Sequence, residues 1–326
     1  MGRRFLAAIV FVWCVTPSLA GQTRQWTPPR TADGQPDLQG FWTNATYTPL
    51  ERPKNVTKEF YSQAEAAELE KRAAADDTAQ TEPGTIADVH YDFTQFGLDT
   101  HQAPYASNPR TSMIVDPPGG RLPPLSAEGL KRAAERAEQE KRVGRWDSAQ
   151  TNQLDDRCVI FAGAGPPMMP QSYNSNYQIV QAPGYVMILF EIAHDVRIIP
   201  LDGRPHLPPN VRQWIGDSRG RWDGDTLVVE TTNLNGKNPL SGSSQDMRVT
   251  ERFTRVDADT IQYKFTIDDE STWTRPWSAE LPMRRTIGPL FEHACHEGNY
   301  GLYNTLAGAR LEEKKAAEEA ARKGIK

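Results

Sequence analysis

Residues 176–201, NYQIVQAPGYVMILFEIAHDVRIIPL, decide the fold class. They hold three short runs rich in β-branched and aromatic residues, 177–182, 185–192 and 196–201. Such side chains suit a pleated, half-buried surface, so each run reads as a strand. Pro183-Gly184 parts the first two as a tight turn. Similar runs follow at 212–215, 226–232, 247–256, 260–267, 273–283 and 290–294. Asp223-Gly224 and Asp257-Ala258-Asp259 supply hairpin joints between them. Strands so closely spaced, with no helix between them, make an antiparallel meander, hence a barrel or a sandwich.

Upstream the chain is different. Residues 21–60 are rich in Pro, Thr and Asn and read as extended, and residues 37–42, DLQGFW, lead into a first strand. Ser62 followed by Glu65 has capping-box spacing and opens a helix over about 62–75. Residues 76–124 are irregular, with seven prolines between 83 and 124. A second helix is expected from Ser126 to about Arg142, docking through a narrow stripe of Leu130, Ala133, Ala134 and Ala137. Residues 303–326 have a helical composition. The 24 Gly and 25 Pro suit many turns and irregular connections.

Residues 1–20 read as a signal peptide. Arg3 and Arg4 precede the apolar run 5–15, and Ser18-Leu19-Ala20 offers small residues for cleavage after Ala20. A periplasmic or secreted location follows. Cleavage moves the net charge from −5 to −7 by removing the two arginines, which disfavours nucleic acid or an anionic membrane as partner. Cys14 leaves with the signal, and Cys158 and Cys295 remain as an even pair in an oxidising compartment, so a disulfide between them is expected. The organisation expected is signal peptide 1–20, irregular region with two helices 21–150, barrel 151–302 and terminal helix 303–326.

Strand alternation singles out polar residues on apolar faces. Glu191 shares parity with Tyr185, Met187 and Leu189, and Glu251 with Met247, Val249 and Phe253. Arg275 goes with Trp273, Trp277, Ala279 and Leu281, and Asn233 with Leu227, Val229 and Thr231. A closed barrel would gather these into a central polar pocket. The alternatives are a buried Glu–Arg ion pair, or a bulge that turns the groups outward.

Several strings bear on chemistry. Gly216-Asp217-Ser218-Arg219-Gly220 matches G-x-S-x-G, but the strand-like run 226–232 follows where a nucleophile elbow needs a helix, so it reads as a Gly-flanked turn. Gly163-Ala164-Gly165 meets Pro166-Pro167, which would block a phosphate-binding helix start. His293-Ala294-Cys295-His296-Glu297 is the densest group of possible ligands. His293 and His296 are candidates for a divalent metal, although on a strand they point to opposite faces, and His296 with Glu297 is an acid–base candidate. His194-Asp195-Val196-Arg197 and Asp202-Gly203-Arg204-Pro205-His206 form a second group, in which Arg197 or Arg204 would anchor an anionic or carbonyl oxygen.

The segments PDLQGFW (36–42), HDVRIIPLDGRPHLP (194–208), WIGDSRGRWDGDTLVVETTN (214–233), ERFTRVDADT (251–260) and CHEGNYG (295–301) resemble a group of secreted bacterial proteins. That resemblance implies export and brings no activity or site residue with it. Gly40-Phe41-Trp42 is similar to the G-x-W of the first strand in lipocalin-like, calycin-type barrels. The fold expected is therefore mainly β: an antiparallel lipocalin-like barrel with an irregular, partly helical N-terminal region and a C-terminal helix. The function expected is an exported hydrolase, lyase or isomerase acting on a small organic or sugar-derived substrate. His194 and His296 would move protons, Glu191, Glu251 and Glu297 would serve as base or orienting group, and Arg197 or Arg275 would hold developing negative charge. No cofactor is expected beyond the metal considered at His293 and His296. The alternatives are a secreted small-molecule binding protein and glycoside cleavage by Glu191 with Glu251.

Overall fold

The computed structural model describes residues 26–77, 108–144, 146–171, 173–237 and 240–324. The expected signal peptide lies outside them. The strands are β1 (Gly40–Thr43), β2 (Ile114–Asp116), β3 (Asn176–Ala182), β4 (Tyr185–Phe190), β5 (Val196–Pro200), β6 (Asp217–Asp223), β7 (Thr226–Thr232), β8 (Arg248–Arg255), β9 (Thr260–Asp268) and β10 (Trp277–Arg285). The helices are α1 (Gln63–Asp77), α2 (Ala127–Arg142) and α3 (Tyr300–Arg322). The strands pair in the order β5-β4-β3-β1-β10-β9-β8-β7-β6, with β2 beside β10, and curl into a nearly closed antiparallel barrel. The hairpins at 183–184, 224–225 and 256–259 stand where the turn residues place them.

The path holds nine strands that alternate in direction. An odd number leaves the first and last strands parallel, so an antiparallel ladder cannot close the ring. No backbone ladder joins β5 to β6 among the described residues. Side chains close that seam. A Cβ on Gly220 would lie 2.8 Å from Ile199 Cγ2 and 2.6 Å from Leu201 Cδ2, so a side chain here would have to displace these methyl groups. Arg197 Nη2 donates to Ser218 Oγ at 3.2 Å. Position 197 thus meets 218 and 199 meets 220, a parallel register.

Inward positions fill the barrel with Trp42, Tyr177, Phe190, Phe253, Tyr263, Phe265 and Trp277, all buried. Residues 160–171 cover one region of this core. Met168 is fully buried, its N–H bonds Tyr263 Oη at 2.9 Å, and its carbonyl accepts from Asn44 Nδ2 at 2.9 Å. The Cys158–Cys295 disulfide ties this segment to the chain after β10, as expected.

Several expectations need correction. On β4 the inward residues are Val186, Ile188 and Phe190, while Tyr185, Met187 and Leu189 face out. The strand is apolar on both faces, so alternation could not set its parity. Residues 212–215 and 290–294 lie outside the strands, and β10 starts at Trp277, so Arg275 belongs to the preceding turn. The 217–220 stretch is strand β6, not a turn. Strands β1 and β2 show that the N-terminal region supplies part of the sheet. Helix α1 keeps its capping box, with Ser62 N–H on Glu65 Oε2 at 2.8 Å and Glu65 N–H on Ser62 Oγ at 3.3 Å. Helix α2 docks through Gly129 rather than Leu130, which is exposed; a Cβ at Gly129 would sit 2.4 Å from Thr272 O. Among the described residues no helix is long and apolar enough to cross a membrane.

The β9–β10 connection is organised by Asp269. Its carboxylate accepts from Ser244 N (2.6 Å), Ser244 Oγ (2.9 Å), Ser271 Oγ (2.8 Å) and Thr272 Oγ1 (2.6 Å). Burial pushes this carboxyl up, but the hydrogen bonds from Thr272, Ser244 and Ser271 outweigh it and hold it below its ordinary value. A depressed folded-state pKa stabilises the fold above the unfolded aspartate value of about 3.9 and loses that stabilisation as pH falls through the folded value. The stability gap between wild type and Asp269→Asn is therefore expected to be widest above about pH 5 and to narrow steadily below pH 4. Urea midpoints of the two proteins, measured from pH 7 down to pH 3, check this.

Candidate functional site

Of the residues singled out in sequence, Arg197 and Glu251 meet inside the barrel. Their side chains are 1% and 0% exposed. Arg197 Nη1 donates to Glu251 Oε1 at 3.1 Å and Nη2 to Oε2 at 2.5 Å. Nη2 also reaches Ser218 Oγ (3.2 Å) and Thr231 Oγ1 (3.3 Å), and those two hydroxyls lie 2.9 Å apart. Tyr263 Oη donates to Glu251 Oε1 at 2.7 Å. Burial pushes the Tyr263 phenol well up, and the charge of Glu251 adds to this. Burial works against the Arg197 cation, but the charge and hydrogen bonds of Glu251 more than restore it. Both carboxylate oxygens are occupied and shut away from solvent. The pair is the buried Glu–Arg alternative, with the Glu251 carboxylate held by Arg197 and Tyr263.

The remaining candidates separate. His194 is exposed in the β4–β5 turn at φ 56°. Arg275 is half exposed and pairs with Asp116 Oδ1 at 2.6 Å, outside the barrel rather than within it. His296 and Glu297 are exposed just beyond the disulfide. His293 is turned inward, so the two histidines do not share a site. No group of three or more His, Cys, Asp or Glu side chains is placed to hold a metal among the described residues.

Glu191 lies beyond the end of β4 and is only 4% exposed. Its Oε1 accepts from Asn174 Nδ2 (2.8 Å) and Asn176 Nδ2 (3.1 Å), and its Oε2 from Phe291 N (3.2 Å). His293 lies in its field. Burial pushes this imidazole down, and Glu191 partly restores it. Ala193 N–H donates to His293 Nδ1 at 3.4 Å, which places the proton of the neutral ring on Nε2. Phe161 packs edge-on against the imidazole at 5.1 Å, and Tyr173 lies at 6.1 Å with the two planes 40° apart.

Sequence reasoning missed a carboxylate–imidazole hydrogen bond elsewhere. His206 Nδ1 donates to Asp217 Oδ2 at 2.9 Å. Asp217 is 6% exposed and also accepts from Leu207 N (3.0 Å) and Arg219 Nη1 (2.6 Å). Arg219 Nε binds Pro205 O at 3.1 Å, which fixes the loop carrying His206. His206 itself is partly exposed, and its Nε2 has no partner among the described residues. Both residues stood in strings already noticed, at 202–206 and 216–220. Their contact arises only because the long β5–β6 connection folds back on the start of β6.

No family model, curated protein or solved structure matches the chain. The chemistry therefore rests on geometry alone. A buried carboxylate that fixes one ring nitrogen and leaves the other facing outward orients an imidazole for proton transfer. The Arg197–Glu251 pair has no such outward nitrogen or oxygen.

That pair makes a stability prediction. Arg197→Ala leaves Glu251 buried without its cation, at an expected cost of about 3–5 kcal/mol. Arg197→Met combined with Glu251→Leu removes both charges and is expected to recover most of that loss. Urea denaturation of wild type, single and double variants measures it. A single variant as stable as wild type would show that the pair does not hold the barrel.

Proposed function

We propose that the protein is an exported enzyme using acid–base chemistry on a small organic or sugar-derived substrate, with His206 as the proton-transferring group and Asp217 as its orienting carboxylate. The hydrogen bond from His206 Nδ1 to Asp217 Oδ2 supports this reading. It fixes the tautomer so that the Nε2 lone pair faces outward, where it takes a proton from substrate or water. Asp217 steadies the imidazolium so formed. Leu207 N–H and Arg219 keep the carboxylate in place, so the ring does not have to be reoriented before reaction. The reaction class is proton transfer at a hydrolase, lyase or isomerase centre.

Export fits the residue 1–20 segment and the disulfide. The lipocalin-like type of barrel rests on Gly40-Phe41-Trp42, which occupies β1, with Trp42 buried and the guanidinium groups of Arg285 (4.7 Å) and Arg255 (5.6 Å) near its ring centroid. A small-molecule binding role is the second reading, favoured by the rings gathered around His293.

The mature protein should turn over at least one member of a panel of chromogenic esters, lactones and glycosides and of substrates with an acidic C–H bond. His206→Gln is expected to lower kcat/KM by about 10²–10⁴, with Asp217→Asn lowering it as well. Steady-state assays of folded variants, checked by circular dichroism, measure this. Undiminished activity in His206→Gln, or no turnover of any panel member by the wild type, refutes the assignment.

A further inference from the structure

We propose that Asn233 is a positioning residue for His206: its side-chain amide fixes residues 207–211 of the β5–β6 connection and so keeps the imidazole on Asp217. Its effect on the ring follows from geometry alone. Its effect on rate rests on the reading of His206 as the proton-transferring group.

The connection has little means of holding its own shape. Pro205, Pro208 and Pro209 carry no N–H, so three of the five residues 205–209 cannot donate a backbone hydrogen bond. Most of residues 202–214 are exposed, so packing does little to fix them. Side chains from the two neighbouring strands supply the missing donors. On one side Arg219 Nε of β6 donates to Pro205 O at 3.1 Å. On the other, Asn233 Nδ2 donates to Leu207 O at 3.2 Å, to Pro208 O at 2.9 Å and to Val211 O at 2.9 Å.

Asn233 is itself well placed for this. It follows β7 directly, and its predecessor Thr232 pairs with Asp217 across the β6–β7 ladder. It is 9% exposed and turns the chain out of the sheet at φ 59°. Thr232 Oγ1 donates to Asn233 Oδ1 at 2.7 Å, which orients the amide so that Nδ2 faces the connection. Gln213 N–H donates to Asn233 O at 2.8 Å and ties down the far end of the same segment.

Leu207 is therefore gripped twice. Its N–H lies on Asp217 Oδ2 at 3.0 Å and its carbonyl on Asn233. His206 stands between this residue and Pro205, whose carbonyl Arg219 holds. With the chain fixed on both sides, the ring has only its own side-chain torsions left to set, and one setting places Nδ1 2.9 Å from Asp217 Oδ2. Support of this kind keeps a proton-transferring group in its working geometry. An amide suits position 233 on two counts. Asparagine tolerates the left-handed backbone region, and it brings donors. A carboxylate of the same size would turn an acceptor toward three carbonyls. Glycine would adopt the backbone without strain but bring no donor.

Nitrogen-15 NMR of the folded mature protein, at a pH where the ring is neutral, tests this, with the His206 signals assigned by their loss in His206→Gln. The wild-type ring is expected as the Nδ1–H tautomer. Asn233→Gly, which keeps the backbone conformation, and Asn233→Asp, which keeps the size, are each expected to release the ring from Asp217 and to populate the Nε2–H tautomer. Ile261→Val loosens the core at the other end of the barrel and should leave the tautomer as in wild type. On any substrate that the protein turns over, Asn233→Gly is expected to lower kcat by up to about 10²-fold with KM little changed. Should Asn233→Asp not fold, Asn233→Gly decides the point, because glycine relieves backbone strain at this position. A ring that stays in the Nδ1–H form in Asn233→Gly overturns the positioning role, whether or not His206→Gln loses activity. A mixed tautomer in Asn233→Gly upholds it, even where an inactive wild type removes the enzymatic reading.

Discussion

Arg197 reaches from β5, at one edge of the sheet, to Glu251 on β8, and on its way it bonds Ser218 on β6 and Thr231 on β7. The closed shape depends on that reach. Nine strands that alternate in direction return to their start in parallel, so the ring cannot be finished by an antiparallel ladder. A guanidinium with several donors replaces backbone pairing with contacts to three consecutive strands on the far side. Its charge would be prohibitive in so apolar a core without Glu251, and Tyr263 completes the acceptor side of that carboxylate. Gly220 supplies the other half of the closure by admitting Ile199 and Leu201 against β6.

The same constraint explains which parts of the fold were legible. Strands β3, β7, β8 and β9 stand out because their inward and outward residues differ and turn residues punctuate them. Strand β6 does not, because the seam requires Ser218 and Gly220 at its inward positions, and small residues there erase the alternation. The faces of β4 were undecidable for the opposite reason: Tyr185–Phe190 is apolar on both sides. Glu251 was correctly placed inside by parity. Its role was open, because whether a buried carboxylate is a base or half of an ion pair depends on which strand lies across the seam. That partner is 54 residues away in sequence, and its position follows from how the barrel closes.

The His206–Asp217 bond and the His293–Ala193 contact were hidden by a related effect. Each joins the end of a strand to a segment that leaves the sheet and returns. His206 comes back to Asp217 over an 11-residue separation, and His293 meets Ala193 over 100. Period-2 reasoning describes residues within a strand and carries no information about such returns. Cys158 and Cys295 gave the one usable signal, since a bridge between them requires the segments near 161 and 293 to be neighbours.

A filled barrel also decides where chemistry can take place. Among the described residues, aromatic side chains, the ion pair and the Met168 segment stand in the interior, while His206 is partly exposed outside it. Strand β6 shows how the two demands coexist. Ser218 faces inward and serves the closure, while its neighbours Asp217 and Arg219 face the β5–β6 connection and fix His206. One strand thus makes the seam rigid and holds an imidazole outside it. The buried pair and the outer dyad share β6 through the adjacent residues Ser218 and Asp217.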